Sequence, residues 1–83
     1  MKYTVVDVRT EAEFAGGHVA GSINIPLQEV QKREDEIMAL ETPVMFCCAS
    51  GGRSGQAAQY FTSKGLECEN GGGWVEANAK VNA

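Results

Sequence analysis

The chain has 83 residues, which bounds it to a single domain over 1–83 whose core shields roughly 60% of the unfolded surface or a little more. Hydrophobic residues make up 43% and charged residues 22%, an ordinary globular balance, and a net charge of −4 without a basic cluster argues against nucleic acid or an anionic membrane as the main partner. No apolar run approaches the length of a membrane span, and a lone His with no C-x-x-C does not suit zinc, so no metal or cofactor is expected.

Tyr3 to Val8 is β-branched and mostly apolar, which predicts a buried strand with Asp7 as its odd carboxylate and Arg9 placed to pair with it or with a nearby loop. Thr10-Glu11-Ala12-Glu13 has the form of a capping box, so a short helix should run from Glu11 to Ala15 and stop at Gly16-Gly17, with Phe14 as its inward anchor. Ser22 to Asn24 reads as a very short strand, and Pro26 is suited to a helix start. Gln28 to Leu40 carries a thin apolar stripe, Val30, Ile37 and Leu40, compatible with one broken helix or two short ones. Its acidic run Glu34-Asp35-Glu36 reads as a solvated face.

Thr42-Pro43 ends that region, and Val44 to Cys48 is the second strong strand. Ser54 to Lys64 is helix-compatible and Gly65 can cap it. Leu66 to Asn70 reads as a short strand, Gly71-Gly72-Gly73 as a turn and Trp74 to Lys80 as a last helical turn or two, with Trp74 in the core. Strands alternating with helices predict a small α/β domain, a mainly parallel sheet flanked on both faces by helices. In such sheets the site lies at the C-terminal strand ends, where Cys48, Arg9 and residues 71–73 fall.

Three cysteines, two of them adjacent, do not form a disulfide framework and suit free thiols in a reducing compartment. Strand alternation points Cys47 away from Cys48 and into packing, and Cys68 also reads as structural. Cys48 opens the loop Ala49-Ser50-Gly51-Gly52-Arg53, which leads into a helix N-terminus. Inward backbone N–H groups, the positive end of the helix dipole and Arg53 would all favour a thiolate, and the same features would stabilise negative charge on an attacked group. This supports nucleophilic cysteine chemistry without a histidine base. His18 instead reads as pinning the segment before the short strand through hydrogen bonds, and Asp7 with Arg9 as a structural brace for the loop.

The chain resembles the rhodanese family of sulfurtransferases in Asp7-Val8-Arg9 with Glu13-Phe14, in Gly17 to Leu27, in Cys48 to Ser54 and in Gly71 to Trp74. These segments occur in the family's order. Gly52-Arg53-Ser54-Gly55-Gln56-Ala57 is most similar to the small single-domain bacterial type of phage shock protein E. The resemblance implies a three-layer rhodanese-like domain. Longer relatives carry a leading strand or helix without a counterpart here, so about four strands are expected.

The resemblance further implies a persulfide on Cys48, taken from a donor such as thiosulfate and passed to cyanide or a thiol, including that of a thioredoxin-like protein. The backbone of Ala49, Ser50, Gly51, Gly52 and Arg53 would cradle it, and Arg53 would close the loop and assist the anion. The family's frequent basic residue after the cysteine is Ala49 here, which bears on the use of dianionic thiosulfate. A monomer is expected. No signal peptide is visible, since Tyr3 to Val8 already reads as a strand. The chain as it stands points to the cytoplasm, and a mature form lacking its signal peptide would be periplasmic.

Two other readings stand beside this one. A non-catalytic or redox-sensing rhodanese-like module would bind a partner. A cysteine phosphatase would use C-x5-R, a count that Cys47 to Arg53 fits. The phosphatase pattern has Gly three residues after its cysteine, and that glycine is Gly51 counted from Cys48, whereas Cys47 is followed at that distance by Ser50. The phosphatase histidine before the cysteine is Phe46 here. Both counts favour Cys48 and the shorter, sulfur-sized loop.

Overall fold

A computed structural model describes residues 2–83, so the expected 1–83 domain is described except for Met1. Four strands, β1 (Thr4–Asp7), β2 (Ile23–Asn24), β3 (Val44–Cys48) and β4 (Cys68–Gly73), form one sheet in the order β2-β1-β3-β4. All three pairings are parallel. The helices are α1 (Glu11–Ala15), α2 (Glu34–Met38), α3 (Gly52–Ser63) and α4 (Trp74–Val81), with a 3-10 turn at Leu27–Glu29. The expected α/β fold with a four-stranded parallel sheet is therefore present. No helix among the described residues is long and apolar enough to cross a membrane.

Side-chain alternation along β3 divides the core. Val44, Phe46 and Cys48 face the side covered by Ile37 of α2 and Ala57, Ala58 and Phe61 of α3. Met45 and Cys47 face the other side, with Val5, Val19 and Ala77 of α4. All five β3 residues are buried, as a central parallel strand requires. The stripe of the 28–40 region is realised as the 3-10 turn and one short helix, with Val30 and Ile37 buried and Leu40 at the margin of the core.

Three elements depart from the sequence reading. Gly71 to Gly73 are not a turn: β4 runs through them and α4 follows at once. Glycine suits the strand here because a Cβ at Gly71 would sit 2.7 Å from Met45 Cγ and Sδ, and one at Gly73 would sit 2.8 Å from the Ala49 carbonyl oxygen. Next, α3 begins at Gly52 rather than Ser54, because Gly51, at φ 104°, turns the chain directly into the helix. Finally, Phe14 is not an inward anchor. It is half-buried and stacks on the His18 ring, with centroids 3.7 Å apart.

Overpacking a filled interior costs about 1–3 kcal/mol. Gly71→Ala is accordingly expected to lower the unfolding free energy by about that much, measured as a lower urea midpoint with an unchanged slope.

Candidate active site

The end of β1 is built around one buried ion pair. Arg9 donates from Nε and Nη2 to the Asp7 carboxylate, the shortest contact being 2.6 Å, and Asp7 Oδ1 also accepts the Arg9 backbone N–H. The rest of the guanidinium reaches the next loop: Nη1 donates to the Glu13 carbonyl at 3.2 Å and Nη2 to the Gly17 carbonyl at 2.7 Å. Its Cζ lies 5.1 Å from the centre of the Trp74 ring, which itself packs against Gly17. Trp74 is thus a half-buried support for this corner. Asn24 Nδ2 donates to the carbonyls of Asp7 and Arg9, joining β2 to the same corner.

Glu13 links this corner to the cysteine loop. It completes the capping box of α1, with Thr10 Oγ1 accepting the Glu13 N–H and Glu13 Oε1 accepting the Thr10 N–H. The same carboxylate takes Arg53 in a two-point pair, Nη1 to Oε1 at 2.8 Å and Nη2 to Oε2 at 3.0 Å. Arg53 and the capping contacts with Thr10 hold the Glu13 carboxyl down at about 2. Arg53, placed in the first turn of α3, thus ties the loop to α1, and both ends of its guanidinium are taken up by Glu13.

At the floor of the loop the Gly51 N–H donates to Cys48 Sγ at 2.9 Å and the Ser54 hydroxyl lies 3.3 Å from it. Burial works against the thiolate, but the Ser54 hydroxyl and the backbone N–H groups of Ser54, Gly51 and Ser50 outweigh it, and the thiol is lowered to about 7. Ala49 and Ser50 are exposed at the rim. Cys47, one residue earlier, is pushed up to about 12 by burial and by the nearby Asp7 carboxylate, only partly offset by Arg9. It lies on the opposite face of the sheet from Cys48, so the C-x5-R register puts a protonated thiol away from the loop donors.

The structure brings Cys48, Ala49, Ser50, Gly51, Gly52 and Arg53 together in one loop, with Asp7 and Arg9 connected to it through Glu13. His18 is apart from it: its Nδ1 is 2.9 Å from the Phe14 carbonyl, and among the described residues none of its hydrogen bonds reaches the loop. Cys68 packs between β4 and α3, its Sγ 3.3 Å from Thr62 Oγ1. No group of three His, Cys, Asp or Glu among the described residues is arranged to hold a metal ion.

Three contributors escaped the sequence reading of the loop. Ser54 supplies a hydroxyl, and its place six residues after Cys48 at a helix start was the available signal. Glu13 read as a capping residue and as part of the family resemblance, with no contact to the loop assigned to it. Asn70 carries no local signal: its Oδ1 accepts from the Ser54 hydroxyl at 2.7 Å and the Gly72 N–H at 3.0 Å, while its Nδ2 donates to the Gly51 carbonyl at 3.0 Å. It thereby fixes the turn at Gly51 and shares the single proton of the Ser54 hydroxyl with Cys48 Sγ, the hydroxyl turning to the sulfur when the thiolate forms.

The family model described as Rhodanese-like domain matches residues 1–80. Uncharacterized protein YqhL of Bacillus subtilis (strain 168) is 39% identical over 84 residues, covering 99% of this chain and 66% of the relative. Thiosulfate sulfurtransferase PspE of Escherichia coli (strain K12) is 37% identical over 70 residues, covering 82% of this chain and 67% of the relative. A solved rhodanese-related protein from Thermoplasma volcanium matches with a TM-score of 0.82 at 31% identity, over 96% of this chain and 79% of that one. The chain thus spans about two thirds of the length of these two curated relatives.

Since the thiolate is the nucleophilic form, Cys48 alkylation by iodoacetamide should rise with pH to half its plateau near 7, while Cys47 stays unmodified in the folded protein. Ser54→Ala should move that midpoint upward, because the thiolate loses a donor and the thiol does not. Asp7→Ala strands the buried Arg9 guanidinium and is expected to cost about 3–5 kcal/mol in urea unfolding.

Proposed function

The chain belongs to the rhodanese-like domain family, and from that premise we propose that it is a sulfurtransferase in which Cys48 carries sulfane sulfur as a persulfide. The observation that carries this reading is the seat of Cys48 Sγ, held by the Gly51 N–H at 2.9 Å beside the Ser54 hydroxyl. A sulfur anion at that point is stabilised by dipoles already in position, so little reorganisation is needed as charge develops.

In the first half-reaction the Cys48 thiolate attacks the outer sulfur of a donor such as thiosulfate. A bond forms between Sγ and that sulfur, the donor S–S bond breaks, and sulfite leaves with the electron pair. In the second, cyanide or a thiolate attacks the outer sulfur of the persulfide, and Cys48 leaves as thiolate, ready for another cycle. The thiol acceptor can be small or borne by a thioredoxin-like protein. The lowered Cys48 thiol suits both halves, as nucleophile in one and leaving group in the other. Loop N–H groups around the sulfur take the place of a general base, consistent with His18 being bound to Phe14.

Incubation with thiosulfate or another sulfane donor, followed by intact mass measurement, is expected to show a gain of one sulfur atom that cyanide removes. Cys48→Ser should abolish the adduct and Cys47→Ser should keep it. No adduct from any sulfane donor, with the protein folded, would overturn the proposal.

A further inference from the structure

The cysteine loop carries no uncommitted cationic side chain, and Lys80, on the β4 side, has its Nζ turned to the Gly71 carbonyl at 3.4 Å. Of the seven lysines and arginines, Arg53 alone lies in the 48–54 segment, and both of its terminal nitrogens are paired with Glu13. That carboxyl, held at about 2 chiefly by Arg53, is ionised throughout the neutral range, so the pair contributes no net charge. A second carboxylate stands on the other wall. Glu76 Oε1 accepts the Gly73 N–H at 2.9 Å, and Gly73 is the β4 residue paired with Cys48. A Cβ on Gly73 would lie 3.2 Å from Glu76 Oε1 and 2.8 Å from the Ala49 carbonyl, so the carboxylate stands beside the loop rim. The donors on the sulfur itself are neutral, a hydroxyl and backbone N–H groups.

Thiosulfate approaches as a dianion and releases a dianion, whereas a hydropersulfide, R–S–SH, carries at most one negative charge and releases a thiolate. Like charges raise the free energy of encounter, and a dianion feels each wall carboxylate twice as strongly as a monoanion does. We propose that Glu13, by neutralising Arg53, and Glu76, across the mouth, make the site discriminate against dianionic sulfur donors and direct it to low-charge hydropersulfides. The proposal rests on the sulfurtransferase reading of Cys48. In the loading step the Cys48 thiolate attacks the terminal sulfur, a new S–S bond forms, the S–S bond of the hydropersulfide breaks, and R–S⁻ leaves with the pair. The proton stays on the transferred sulfur until it equilibrates with solvent. Glu13 and Glu76 touch no reacting atom in this step and act through Arg53 and through the field at the mouth.

The test measures the rate of Cys48 persulfide formation by intact mass, with thiosulfate and with the hydropersulfide of 2-mercaptoethanol, in wild type, Glu13→Gln and Glu76→Gln. Glutamine keeps one acceptor oxygen for each cap and removes the charge, and at position 13 it also replaces the second acceptor of Arg53 with an N–H donor, which frees the guanidinium. The hydropersulfide should load wild type faster than thiosulfate at equal concentration. Raising salt from about 0.01 M to about 0.5 M should speed thiosulfate loading several-fold by screening repulsion, with little effect on the hydropersulfide. Glu13→Gln should raise the thiosulfate-to-hydropersulfide rate ratio about fivefold, and Glu76→Gln should raise it in the same direction.

A ratio unchanged in both variants, or a wild-type thiosulfate rate that falls with salt, would overturn the proposal while leaving the sulfurtransferase reading in place. No loading of wild type from either donor would overturn that reading and the proposal with it. The salt arm uses wild type alone and the Glu76→Gln arm leaves the α1 corner intact, so a poorly folding Glu13→Gln protein leaves two independent readouts.

Discussion

The buried Asp7–Arg9 pair is the interaction on which the working end of the sheet depends. Two charges in a dry corner are stable only when every donor and acceptor is matched. Arg9 meets that condition by reaching beyond Asp7 to the carbonyls of Glu13 and Gly17. Satisfying the guanidinium therefore fixes the path of the segment after α1. That segment holds Glu13, and Glu13 holds Arg53. The position of the cysteine loop is thus coupled, through the side chains of Arg9, Glu13 and Arg53, to the desolvation requirement of one arginine just past the end of the neighbouring strand.

A second consequence of the same geometry is the different fate of two adjacent thiols. Cys47 and Cys48 share a strand, and the pleat sends them to opposite faces. One meets the Asp7 carboxylate and apolar packing. The other meets a hydroxyl and inward N–H groups. Their protonation diverges, about 12 against about 7, without a cation in direct contact with either sulfur among the described residues. Thiolate stabilisation by dipoles leaves the electrostatic character of the mouth to be set separately, by Glu13, Arg53 and Glu76.

Much of this was legible in the sequence because the signals are local. The β-branched run of β1, the Thr10–Glu13 capping box and the Cys48-to-Arg53 spacing each specify their element without help from distant residues. The misreadings share the opposite cause. Glycine is a poor strand former, so Gly71 to Gly73 read as a turn, and only Met45 and the Ala49 carbonyl, brought in by folding, explain their place in β4. Gly52 and Arg53 read as loop because glycine is a weak helix residue, whereas the start of α3 is set by the backbone at Gly51. The contacts of Glu13 with Arg53, 40 residues away, and of Asn70 with Gly51 and Ser54 are made across the fold, and no periodicity or motif reports them.

The short first edge of the sheet has a consequence for the protein in crowded solution. Strand β2 offers only Ile23 and Asn24, and Asn24 already turns its amide toward β1. An edge of two residues is too short to template another chain by backbone pairing. The opposite edge, β4, is longer, but it presents Glu69 and Asn70 to solvent and then passes into three glycines covered by Met45, Ala77 and Glu76. Neither border is a flat apolar strand. The residues that shape the cysteine loop from the β4 side therefore also protect the sheet against edge-to-edge aggregation.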